Sequence, residues 1–192
     1  SKVIAVGGSN ISNAKYYKTI SGASIDSIIN QSDVLDNSRI ISGNPLTGEQ
    51  VDFDGFLGFY SHQISVLPEG NQHKFFLTEG WLSAGFKKLS ASKAYPSWLL
   101  SKSKIYNVDT NLNGEERAFV VSGQYEKVFP FDIYPVQLIK SILTNDIEKM
   151  ENLGIYEVSP EDFALCEFVC TSKINVQEIV RGGLDLVYKE CM

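Results

Sequence analysis

The chain has 192 residues, 43% of them hydrophobic and 21% charged, with 23 acidic against 17 basic side chains and a net charge of −6. That length has room for one or two domains with a real apolar core, and the negative balance with scattered lysines excludes a generic nucleic-acid binder, which needs clustered Lys and Arg. No run approaches the roughly 18 uncharged apolar residues of a membrane span, and three cysteines are too few for a disulfide framework and point to a reducing compartment.

In chain order, "KVIAV" (2–6) is a short apolar run closed by Gly7-Gly8 and predicts a buried strand. "YYKTIS" (16–21), rich in aromatic and β-branched residues, predicts a second. Ser24 then caps a predicted short helix, "IDSIIN", with Ile25, Ile28 and Ile29 on one face. "RIISG" (39–43) is a third strand and "GFLGFYSHQISVL" (55–67) a fourth, stopped by Pro68-Glu69-Gly70. The stretch Lys87–Lys104 holds five lysines among serines and aromatics and reads as a solvated loop. Asn113-Gly114, flanked by strand residues, predicts a two-residue hairpin.

From Pro130 the pattern becomes helical. Pro135 opens a helix with Val136, Ile139 and Leu143 on one side. Asn145 caps the next, which Gly154 stops. "SPED" (159–162) is a helix start, and "NVQE" (175–178) a capping box opening a last helix to about Lys189. The fold class is therefore α+β: a small sheet domain with a hairpin extension over 1–128, and a helical domain over 129–192.

Two constellations invite a chemical reading. Cys166 and Cys170 sit four apart, like the back half of an iron–sulfur ligand run. Counting back along that run puts the missing ligands at Phe163 and Pro160, which cannot coordinate iron. The bland alternative is a pair of small buried apolar side chains. Zinc lacks a full set too, since His62 and His73 lie in the other region. The second constellation joins Tyr60 and His62 with the turn Gly43, Asn44, Pro45 as candidate contacts for a small ligand, against half-exposed strand residues and an ordinary turn. No dinucleotide fingerprint, Walker motif or catalytic triad stands out.

Several stretches together, "KTISGASIDSII", "RIISGNPLTGEQ", "GFLGFYSHQISVLPEG", "YEKVFPFDIYP" and "DFALCEFVCTSK", resemble the C-terminal half of the A subunit of the sodium-translocating NADH:quinone reductase, in order and over nearly the whole chain, most weakly across Trp81–Lys104. That family is also related to the C subunit of the Rnf electron-transport complex. The resemblance implies a β-grasp domain of the soluble-ligand-binding type, then a ferredoxin-like helical domain that has lost its cluster, with Cys166 and Cys170 as non-ligating remnants. It implies a peripheral, cofactor-free subunit on the cytoplasmic face of the bacterial inner membrane. NAD, flavins and iron–sulfur centres would sit on partner subunits, and ubiquinone is the ligand this chain could meet. The fragment alone would be inactive. The alternative is a freestanding β-grasp module for a small ligand. Contacts to partner subunits are expected at the aromatic stretches 95–106 and 125–134.

Overall fold

The computed structural model describes residues 1–72, 74–75, 77–80, 82–86, 88–91, 93–100 and 105–191, the side chain of Cys191 excepted. The chain divides into two compact units, Ser1–Asn113 and Gly114–Met192.

The first unit is built on a mixed five-stranded sheet among the described residues. Its strands are β1 (Lys2–Gly7), β2 (Lys15–Thr19), β3 (Ser38–Ser42), β4 (Glu49–Val51) and β5 (Gln63–Pro68), in the order β2-β1-β5-β3-β4. The central pair, β1 and β5, is parallel, with Val6 beside Ile64; the other pairs are antiparallel. Side chains alternate across the sheet. Ile4, Val6, Ile40, Ile64 and Val66 face one side, where Ile25, Ile28, Ile29 and Leu57 complete a core. Val3, Ala5, Gln63, Ser65 and Leu67 face the other.

Two expectations for this unit are corrected here. Ile25–Asn30 forms no α-helix: the Ile28 and Ile29 N–H groups both donate to the Ile25 carbonyl at 3.0 Å, and the chain turns once. Ser24 spends its hydroxyl on the Asp26 carboxylate instead of capping a longer helix. The three isoleucines are buried as their spacing implied, so the apolar face is right and the length wrong. The run 55–67 is strand only from Gln63, because Gly55 and Gly58 fold 55–61 back on itself, as in the Ser61 N–H bond to the Gly58 carbonyl. β4 was not anticipated; its three residues are too few to show a period.

The second unit is helical: α1 (Pro135–Leu143), α2 (Ile147–Asn152), α3 (Ala164–Val169) and α4 (Val176–Cys191). Phe163, Leu138, Ile139, Met150, Ile155, Val176 and Val180 are buried at its centre. α1 and α4 approach closely at Gly183, where an added Cβ would lie 2.9 Å from the Ile142 side chain. Pro135 does open α1, and Gly154, at φ +89°, does end the second helical stretch. The cap of α2 is Asp146, whose carboxylate accepts from the Lys149 N–H at 3.1 Å; Asn145 precedes it in the left-handed region at φ +53°. Leu143, placed on the buried side of α1 by its spacing, is exposed, and Leu138 and Ile142 bury in its stead.

The hairpin at Asn113-Gly114 is absent. Both residues have positive φ, 53° and 156°, as a two-residue turn requires, but the flanks pair with nothing in a ladder. Residues 117–128 join the helical unit: the Arg117 N–H donates to the Ser172 carbonyl at 2.8 Å, the Ser172 hydroxyl donates to the Ala118 carbonyl at 3.0 Å, and Tyr125 enters the core. Hence the division falls at 113/114 and not at the expected 128/129.

Candidate functional site

The candidate turn is built by its own polar groups. The Asn44 side-chain oxygen accepts the N–H groups of Leu46 and Thr47 at 2.8 and 2.9 Å, and its amide donates to the Thr47 hydroxyl at 2.6 Å. The Gly48 N–H donates to the Asn44 carbonyl. Gly43 needs its φ of +110°, donates to the Gln63 carbonyl at 2.9 Å, and accepts the Ser65 hydroxyl at 2.8 Å. These donors are consumed by folding, so Gly43 and Asn44 hold the loop and have little left for a ligand. Pro45 alone of the three lines an open groove, of about 310 Å³, with Ala5, Gly7, Gly8, Gln63, Ser65 and Leu67. The groove lies on the sheet face away from the core.

Tyr60 and His62 line a different cleft, of about 420 Å³, with Lys2, Val3, Ser21 and Phe59. His62 stands just before β5, not within a strand as expected, and is exposed. Tyr60 is 87% exposed, and its ring meets Phe59 edge-on at 5.0 Å between centroids. The Lys2 ammonium donates to the Phe59 carbonyl at 2.8 Å and ties this loop to β1. The five candidates therefore fall in two places. The cleft offers aromatic faces, an imidazole and an ammonium, a set suited to a flat ring bearing carbonyl or hydroxyl groups.

Cys166 lies on α3 and Cys170 caps its end rather than continuing it. Both are buried, free thiols. Tyr125 lies beside them in the core: its hydroxyl is buried with no oxygen or nitrogen partner among the described residues, and the Cys170 thiol is the polar group next to it. Burial pushes the Cys166 thiol up from 9.0 to about 12, with a smaller push from Glu126, and raises the Tyr125 phenol as well. Cys166 is therefore protonated and poorly nucleophilic at neutral pH. Among the described residues no group of three or more His, Cys, Asp and Glu side chains is placed to hold a metal. His73 lies outside the described residues, as do Ser101–Lys104 within the aromatic stretch 95–106.

A polar cluster escaped sequence reasoning. Glu69 accepts from Nε and Nη2 of Arg39 and, at 2.8 Å, from the Thr110 hydroxyl. Hydrogen bonds from Arg39 first, then Thr110, hold its carboxyl below the usual range. Pro68-Glu69-Gly70 signals only a strand end in sequence, and nothing local announces partners 30 and 41 residues away.

Residues 3–52, which hold most of β1 and all of β2, β3 and β4 but not the Tyr60–His62 cleft, match the family model described as the NQRA C-terminal domain. Over 190 residues, 98% of its length, the chain is 36% identical to the A subunit of the Na(+)-translocating NADH-quinone reductase of Shewanella frigidimarina. It is 38% identical to that of Hahella chejuensis and 34% to that of Vibrio campbellii over the same span. The chain is a relative of the NQRA proteins. The resemblance read from the sequence is thus borne out. The chain covers 42% of the length of these NQRA relatives, and the match runs through both units described above. Among the described residues no helix is long and apolar enough to cross a membrane.

Proposed function

We propose that this chain serves as a cofactor-free, peripheral portion of the NQRA component of a sodium-translocating NADH:quinone oxidoreductase, which couples electron transfer from NADH to ubiquinone with sodium export. The observation that carries this is end-to-end similarity, 98% of the chain at 34–38% identity, to proteins bearing that name. On this reading NAD, flavins and iron–sulfur centres belong to partner subunits, and the chain sits on the cytoplasmic face of the inner membrane. Hydride transfer needs a nucleotide site and an acceptor cofactor, and neither is suggested by the residues present. The first unit is read as a β-grasp domain, supported by its parallel central pair of first and last strands. The second is read as a ferredoxin-like helical domain whose two remaining thiols pack in a core.

The experiment is affinity purification of the tagged protein from detergent-solubilised membranes of a bacterium that makes the reductase. Sodium-stimulated NADH:quinone reductase activity should co-elute. Elution without other subunits would sink the reading. Where ubiquinone meets this chain, the Tyr60–His62 cleft is the proposed place and the Gly43–Pro45 turn is not, because the turn's donors are already used. Amide shifts on titration with a soluble quinone should cluster at residues 2–3 and 59–62; shifts confined to 43–48 would reverse that choice.

A further inference from the structure

After Gly70 the chain leaves the sheet, and it returns at Asp109 with its stem closed. The Thr110 N–H donates to the Pro68 carbonyl at 3.2 Å, the Gly70 N–H to the Thr110 hydroxyl at 2.8 Å, and the Asn111 amide to the Gly70 carbonyl at 3.0 Å. Lys74 pairs with Asp109 at 2.6 Å. The two stem segments run so close that a Cβ on Gly70 would lie 2.1 Å from the Asn111 nitrogen. Within the excursion, the Lys88 ammonium sits over the Tyr95 ring at 4.9 Å and that of Lys93 over Trp98 at 5.4 Å. The Tyr106 hydroxyl donates to the Ser97 carbonyl at 3.3 Å. The stem of the excursion is therefore closed, and its described residues are cross-linked to one another.

Its composition is unlike the rest of the chain. Residues 71–107 hold six lysines, no arginine and a single acid, Glu79, a net +5 inside a chain of net −6. Large apolar side chains stand out among these charges: Trp98 is 53% exposed, Leu99 67% and Ile105 89%, with Leu82 and Leu89 exposed too. We propose that this loop docks on the surface of an anionic lipid bilayer. Trp98, Leu99 and Ile105 supply the apolar contact, and Lys88 and Lys93 lie among the headgroups. Composition separates this occupant from a protein partner. Protein interfaces are enriched in Arg and depleted in Lys, whereas lysine stems snorkel at a bilayer surface, Trp prefers the headgroup region, and each Lys is drawn to anionic lipid. The proposal rests on charge and exposure and not on the functional reading above.

The test is sedimentation of the 192-residue chain with vesicles of phosphatidylcholine alone and of equal phosphatidylcholine and phosphatidylglycerol. Binding is expected to the mixed vesicles, weakened by added salt. Lys88→Gln with Lys93→Gln should lower the partition coefficient roughly tenfold or more. Leu99→Ser with Ile105→Ser should lower it at unchanged charge. Lys15→Gln with Lys18→Gln, on β2 of the same unit, should leave it unaltered. Lys88 also donates to the Gly80 carbonyl; where its loss disturbs the loop, the exposed apolar pair still decides. Absence of binding to the mixed vesicles, equal binding to phosphatidylcholine alone, or equal loss in the β2 variant would overturn the proposal and hand the loop to a protein partner.

Discussion

The two units solve the same burial problem differently. Gly114–Met192 packs its helices around a central apolar core: Phe163, Met150, Leu138, Ile139 and Ile155 are fully buried, and the helical starts at Asp146 and Ser159 are capped by neighbours in sequence. Ser1–Asn113 packs one face of its sheet, leaves much of the other open, and carries its loops by polar clasps such as Arg39–Glu69–Thr110 and Ser42–Ser61. A helix satisfies its own backbone and needs one stripe covered. A small sheet satisfies its backbone only through distant strands, so its loops must be anchored by distant polar contacts. The helical unit is accordingly the place to look for stability, and the sheet unit the place to look for contact with other molecules.

The sharpest way to break this contrast is at the helical core. Phe163→Ala removes a fully buried ring that meets Phe129 at a tilt, 4.7 Å between centroids, and the loss should be about 3–5 kcal/mol in urea unfolding. Phe59→Ala, at an exposed ring, should stay within about 0.5 kcal/mol. Equal effects would mean the contrast is wrong.

Neighbouring glycines of α4 give the next test. Gly183→Ala pushes a methyl against Ile142 and should cost about 1–3 kcal/mol. Gly182→Ala meets nothing within 4 Å and should stabilise by about 0.5–1 kcal/mol through helix propensity. Thermal melts of the two variants should move in opposite directions.

At the buried thiols, Cys166→Ala should cost about 1 kcal/mol, and Cys166→Ser more, because a hydroxyl there needs a partner. The thiol's raised folded value adds a pH signature. The unfolded chain releases this proton near 9.0 and the folded chain near 12, so stability present at neutral pH is lost as pH rises through that window. Cys166→Ala should flatten the alkaline limb of a stability–pH curve. Rapid labelling of Cys166 in the native protein would mean it is not buried at all.

The smallest effect belongs to the sheet unit. Glu69→Gln loses a partly exposed ion pair and should cost about 1 kcal/mol or less. Glu69 has a depressed folded value, so its contribution is present above the ordinary 4.5 and is lost as pH falls below it. The variant should lose that acid dependence, seen as a flatter acid limb in denaturant titrations; an unchanged limb would show that the clasp contributes nothing.

Local signals in the sequence determined much of this molecule. Pro135, Gly154 and the Ser159 start act within a turn or two of themselves, and each stands where the spacing put it. Short apolar, aromatic and β-branched runs named β1, β2 and β3, and i, i+3, i+4 spacing named the buried isoleucines of 25–29, because strand and helix faces follow from backbone geometry. The order of quoted stretches was enough to place the chain beside the NQRA proteins. Tertiary structure alone decided the rest. It shortened the Ile25 helix to a turn whose Ile25 N–H bonds the Gly55 carbonyl, left the Asn113-Gly114 turn without a ladder because 117–118 bind Ser172, and sent Pro45 and Tyr60 to separate grooves. It also joined Glu69 to Arg39 and Thr110. Each of these is settled by a partner tens of residues away, or by competition between hydrogen bonds, and neither quantity is written in a local window of residues.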